Sequence, residues 1–126
     1  MKKILIVIAD YYKDISSSLL KSAKSNLNNF AVKVIKVPGV FEIPITISKN
    51  IKKYDGFIAL GCVIKGETPH FNFISSASTQ AIMVISVVSK KPIGNGIITC
   101  LNMNQAKARS KKGKEAAQAV ISVLSQ

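Results

Sequence analysis

Ile4-Leu5-Ile6-Val7-Ile8-Ala9 is the stretch on which the fold turns: an apolar run with no polar alternation. A strand with one wet face alternates apolar and polar residues. A parallel strand covered by helices on both faces reads as a continuous apolar run instead. Moving outward, Ile15, Leu19, Leu20, Ala23 and Leu27 recur at helical spacing, with Asp14 or Ser16 placed to cap that helix. Ala31 to Val37 reads as a second strand, ended by Pro38-Gly39. A helix is expected from about Ile43, with Pro44 in its first turn and Ile43, Ile47 and Ile51 on one face. Gly56 to Ile64 is the third and most apolar strand, and the loop Lys65 to His70 leads into a helix over about Phe71 to Ser89. That helix is expected to turn Ile74, Ala77, Ala81, Ile85 and Val88 inwards. Pro92 to Thr99 reads as the fourth strand, and Met103 to Ser125 as helical, with Gly113 as its expected break.

Strands alternating with helices through right-handed crossovers predict an α/β fold, a three-layer α/β/α sandwich on a four-stranded parallel sheet. The length of 126 residues and the lack of linkers, repeats or low-complexity tracts predict one domain over 1–126. Ligands in such folds bind beyond the carboxyl ends of the strands. That rule selects four loops: Asp10 to Lys13, Pro38 to Glu42, Lys65 to His70 and Thr99 to Asn104.

Composition narrows the class. A hydrophobic share of 48% is high for so short a chain and suits a sheet buried on both faces, burial against other subunits, or both. The longest uninterrupted apolar run falls far short of the ~20 residues that span a bilayer. Asp10 cuts short the apolar stretch after Lys2 and Lys3, and no small-residue cleavage site follows, so a cytoplasmic protein is expected. Cys62 and Cys100 are not expected to pair, since cytosolic thiols stay reduced. One histidine and two scattered cysteines make no metal-ligand pattern. The net charge of +12 brings nucleic acid to mind, but the lysines are spread along the chain, with one dense cluster from Lys107 to Lys114 and no interleaved aromatics. A solvated basic surface, together with a phosphorylated ligand, accounts for the charge without nucleic acid.

The strand-end loops hold the chemically distinctive residues, and each has an ordinary alternative. His70, the only histidine, titrates near neutrality and can move protons, or can simply cap a helix. Gly66 and Thr68 precede a helix start that attracts anions, although a threonine there also caps. Glu42 can accept from substrate hydroxyls or merely complement a helix dipole. Tyr11 or Tyr12 can stack on a planar ring, or stand as loop tyrosines. Arg109, the only arginine, has the fork that binds phosphate, or is one more cation on a solvated helix. Together these residues suit a small phosphorylated or polyhydroxylated ligand.

Three ordered segments carry a resemblance. Val37 to Pro44, VPGVFEIP, is similar to the VPGAFEIP segment of lumazine synthases. Tyr54 to Phe73, YDGFIALGCVIKGETPHFNF, resembles the family's YDAVIALGxVIRGxTxHFDY. Lys91 to Thr99, KPIGNGIIT, is close to the variant with PIGNGILT, and Gln105-Ala106 and Lys112-Gly113 follow in order. The resemblance implies a flavodoxin-like topology and the condensation of 5-amino-6-ribitylamino-uracil with 3,4-dihydroxy-2-butanone 4-phosphate to 6,7-dimethyl-8-ribityllumazine, the penultimate step of riboflavin biosynthesis, with no metal or organic cofactor. It also implies a homo-oligomer, a pentamer or a multiple of it, with active sites between subunits, and neither nucleic-acid nor membrane partners.

Carried over by motif, His70 matches the proton-transfer histidine and Tyr11 the aromatic residue stacked on the pyrimidine. Val40, Phe41 and Glu42 match the segment beside the ribityl chain, and Cys62, Val63 and Ile64 the strand end that reads the pyrimidine edge. Gly66, Glu67 and Thr68 match the phosphate loop and Arg109 the phosphate-binding arginine, with Lys112 matching a nearby lysine. Asn95 stands where the family often has a phenylalanine that reaches the site from a neighbouring subunit. Asp10, Asn72, Ala77 and Gln80 depart from the family pattern, the segment between Arg109 and Lys112 is shorter, and the N-terminal arm strand is absent. The departures around His70 bear on rate more than on reaction. They leave a non-catalytic flavin- or lumazine-binding relative as the alternative, with a basic nucleic-acid module more remote.

Overall fold

A computed structural model describes residues 1–66 and 70–126, the side chain of His70 excepted. Four strands, β1 (Lys3–Ala9), β2 (Ala31–Val37), β3 (Gly56–Ile64) and β4 (Ile93–Cys100), form one parallel sheet in the order β2-β1-β3-β4. The helices are α1 (Lys13–Lys24), α2 (Ile43–Lys49), α3 (His70–Ser89), α4 (Met103–Ala108) and α5 (Lys112–Leu124), with a 3₁₀ turn at Val40–Glu42. The strand order is that of the flavodoxin-like class, with the direction of winding reversing between β1 and β3.

The apolar run of β1 is explained by its two covered faces. Ile4, Ile6 and Ile8 face a core shared with Leu19 and Ala23 of α1 and Ala117 and Val120 of α5. Leu5, Val7 and Ala9 face a second core with Val40, Ile43 and Ile47, and Ile82 of α3. β3 divides in the same way, with Ile58, Leu60 and Cys62 on the first side and Phe57, Ala59 and Val63 on the second. Leu19 and Ile47 are fully buried, and truncating either to alanine would cost about 2–5 kcal/mol.

Several expectations need correction. Neither Asp14 nor Ser16 caps α1: Tyr12 occupies the N-cap with no side-chain bond, and the buried Ser16 hydroxyl donates to the Ala9 carbonyl at 3.0 Å, tying the helix to the end of β1. Ile51 lies beyond α2, which ends at Lys49. β4 is displaced by one residue, from Ile93 to Cys100. Gly113 does not break the last helix. The interruption falls at 109–111, and Gly113 lies in the first turn of α5 because a Cβ there would sit 2.2 Å from the Leu19 carbonyl oxygen. The helix pair α1–α5 packs backbone to backbone at that point.

The largest correction concerns α3. Among its described side chains Ser78 and Ile82 are buried and Phe71, Ile74 and Ile85 partly covered, whereas Ala77 and Val88 face outwards. Phe73, Met83, Val84 and Val87 are exposed beside them. By length and composition Phe71–Ser89 is apolar enough to cross a bilayer, with a mean hydropathy of 1.5. Yet Ser78 and Ile82 hold one side of it against the protein, so what remains uncovered is a face rather than a whole helix.

Candidate functional site

A cavity of about 390 Å³ opens at the carboxyl ends of β1 and β3, where the winding reverses. Three chain segments build it. After β1, Ala9, Tyr11 and Tyr12 form one wall. Tyr12 packs against the core, and Tyr11 is exposed but held edge-to-face on Tyr12, with ring centroids 4.9 Å apart and planes at 85°. After β2, Gly39, Val40 and Phe41 form the second wall. The 3₁₀ turn can lie so close to the sheet because Gly61 has no side chain: a Cβ there would stand 2.8 Å from Val40 Cγ2. The floor is the end of β3, with Cys62, Val63, Ile64 and Gly66, and Phe71 and Ile74 close it from the first turns of α3.

The Cys62 thiol is pushed up to about 12 from its usual 9.0, first by burial and then by Cys100 beside it. Such a shift holds it as the neutral thiol at physiological pH, a weakly polar part of the cavity wall. Burial, then Cys62 and Tyr11, also raise the Tyr12 phenol. Among the described residues the side chains lining this floor are apolar or uncharged, so the polar groups they leave to a ligand are chiefly those of the main chain.

A second cavity, of about 620 Å³, lies across β4 and, among the described residues, shares no lining residue with the first. Thr99 borders it on the sheet, and Arg109, Lys111, Lys112 and Lys114 surround it from the α4–α5 junction. Among the described residues one carboxylate, Glu115, lines it and lies 3.5 Å from Lys112. The Arg109 guanidinium donates from Nη1 to the Thr99 carbonyl at 2.9 Å. So dense a group of cations favours an anion.

The structure thus divides the residues singled out in the sequence. Tyr11, Val40, Phe41, Cys62, Val63, Ile64 and Gly66 share the first cavity. Glu42 is half-buried beside it, with Oε1 turned towards Gly39, 3.3 Å from where a Cβ on that glycine would lie. Arg109 and Lys112 line the second cavity, and Asn95 lines neither. Asn95 is exposed on β4, the edge strand of the sheet, where its Oδ1 accepts from the Ile97 N–H at 3.0 Å. Glu67 and Thr68 lie outside the described residues, as does the side chain of His70, whose backbone opens α3. Sequence reasoning missed Phe71 and Ile74, although their spacing of three at the mouth of a strand-end loop was the available signal. It also left Lys111 and Lys114 to the solvated basic surface, and their convergence with Arg109 and Lys112 on one cavity depends on the break between α4 and α5.

Comparison with known proteins is consistent along the chain. The family described as 6,7-dimethyl-8-ribityllumazine synthase matches residues 1–126. The chain is similar to 6,7-dimethyl-8-ribityllumazine synthase 1 of Rhodopseudomonas palustris, at 43% identity over 97% of this chain and 83% of the relative. It is also similar to the 6,7-dimethyl-8-ribityllumazine synthase of Bartonella bacilliformis, at 45% identity over 89% and 78% of the two chains. That of Bartonella tribocorum is 43% identical over 96% and 87%.

Proposed function

Given that the chain belongs to the 6,7-dimethyl-8-ribityllumazine synthase family, we propose that it condenses 5-amino-6-ribitylamino-uracil with 3,4-dihydroxy-2-butanone 4-phosphate in riboflavin biosynthesis. The observation that carries this reading is the first cavity, where Tyr11, the Val40–Phe41 turn and the end of β3 meet at the switch point of the sheet. Tyr11 stacks on the pyrimidine, the β3 main chain reads its polar edge, and Glu42 takes the ribityl hydroxyls. His70 moves the proton, and Gly66, Glu67 and Thr68 receive the phosphate. The steps are Schiff-base formation, phosphate elimination and ring closure. Holding two substrates together in reactive geometry supplies much of the acceleration.

The phosphate-binding cations and Asn95 belong to the same reaction but stand apart from the first cavity on one chain. We therefore read the site as composite: the β4 edge and Arg109 of one copy face the Tyr11 cavity of the next, in a ring of five or a multiple of it. The uncovered apolar face of α3 supports self-association, because a contiguous apolar face of this length is seldom left to water. The same reading places a single domain over 1–126 in the cytosol, working without metal or organic cofactor.

The test is an absorbance assay of the purified, assembled protein with both substrates. Lumazine formation well above the uncatalysed rate is expected, and His70→Ala should lower kcat by about ten- to a hundredfold without abolishing it, since positioning survives. Tight binding of the lumazine with only background turnover would replace the synthase with a binding protein. An unchanged rate in His70→Ala would remove that residue from the mechanism.

A further inference from the structure

Gln105 and Ala106 recur in the family resemblance with no role attached, and the structure supplies one for the glutamine. We propose that Gln105 is a positioning residue for Arg109, locking the β4–α4 junction so that the guanidinium is presented to the phosphate. The proposal rests on the reading of Arg109 as the phosphate-binding arginine.

α4 has six residues, too few to hold its shape unaided. Gln105 closes the junction with three hydrogen bonds. Its N–H donates to Asn102 Oδ1 at 2.9 Å, its Oε1 accepts from the Leu101 N–H at 2.8 Å, and its carbonyl accepts from the Arg109 N–H at 3.0 Å. The first two make a reciprocal cap, shifted by one residue from the usual box because the side chain reaches Leu101 instead of the N-cap amide. Ala106, fully buried, pins the helix to the core from the other side. Arg109 is then held at both ends, by its backbone to Gln105 and by Nη1 to the Thr99 carbonyl. Among the described residues Thr99 engages one guanidinium donor, and the other N–H groups of the fork can serve an anion. Both side-chain bonds of the cap are exposed, so water can replace them. Their loss should loosen the arginine more than it weakens the fold.

Gln105→Met keeps the length of the side chain and removes the acceptor. In the assembled enzyme, the KM of the phosphorylated substrate and the inhibition constant of inorganic phosphate should both rise about five- to tenfold, the scale on which small misplacements act. The KM of the pyrimidine should stay within about twofold, by the same reasoning on position. In an Arg109→Ala background, Gln105→Met should add nothing further. Equal shifts in both KM values, or an effect that persists without Arg109, would show a merely structural role and overturn the proposal. If Arg109→Ala weakens phosphate and Gln105→Met does not, the positioning role alone is lost. If Arg109→Ala leaves phosphate binding untouched, the phosphate reading itself is wrong. Should Gln105→Met fail to assemble, Asn102→Ala opens the other half of the cap and is judged by the same criteria.

Discussion

Tyr11 owes its orientation to its neighbour, since it is 72% exposed and its ring is braced by the half-buried Tyr12. Stacking and edge contacts of this kind contribute on the order of 1 kcal/mol. Tyr11→Ala should therefore raise the KM of the pyrimidine substrate roughly tenfold, with the phosphorylated substrate little affected, as steady-state kinetics with each substrate varied would show. Cys62 gives a second prediction at this scale. Its folded-state proton is held to about 12, against a usual 9.0, so the unfolded chain releases it first as pH rises. Stability from this group is intact below the usual value and is lost progressively towards the raised one. The urea midpoint should consequently fall more steeply above pH 9.0 in the parent protein than in Cys62→Ala.

Among the elements, the contact of α5 with α1 is the least forgiving. A Cβ on Gly113 would meet the Leu19 carbonyl oxygen at 2.2 Å and Ser22 Oγ at 2.6 Å. Gly113→Ala should destabilise the protein by about 1–3 kcal/mol or more through forced separation of the helices, measurable as a lower denaturant midpoint. Gly66→Ala makes the control, since among the described residues nothing lies within 4 Å of where a Cβ there would stand. The elements also differ in how far the sequence makes them legible. β2 and β3 could be delimited to the residue because their β-branched, largely apolar segments are bounded by turn residues, even though Lys33 and Lys36 interrupt β2. α3 could be delimited but not oriented: with apolar residues on every side, its period does not say which face packs, and Ala77 and Val88 were assigned to the wrong one. Gly113 read as a helix breaker because its reason lies on another helix. The site was legible as a set of strand-end loops. Its division into two cavities was not, because that follows from the place of β4 at the sheet edge and from the turn between α4 and α5.

At the scale of the whole molecule, two features call for one another under the proposed function: an apolar face on α3 and candidate site residues divided between two cavities. Val87, 68% exposed on that face, can accept a charge without disturbing the core of the single chain. Val87→Glu should leave the far-UV circular dichroism unchanged while sedimentation shows smaller species, and activity should fall in step with assembly. The exposed face also ties each folded chain to the number of its fellows. Where association stabilises only the folded form, the melting temperature climbs with protein concentration. Catalyst then accumulates faster than in proportion to the chain supplied, and a cell that makes half as much of this polypeptide is left with less than half of the working enzyme.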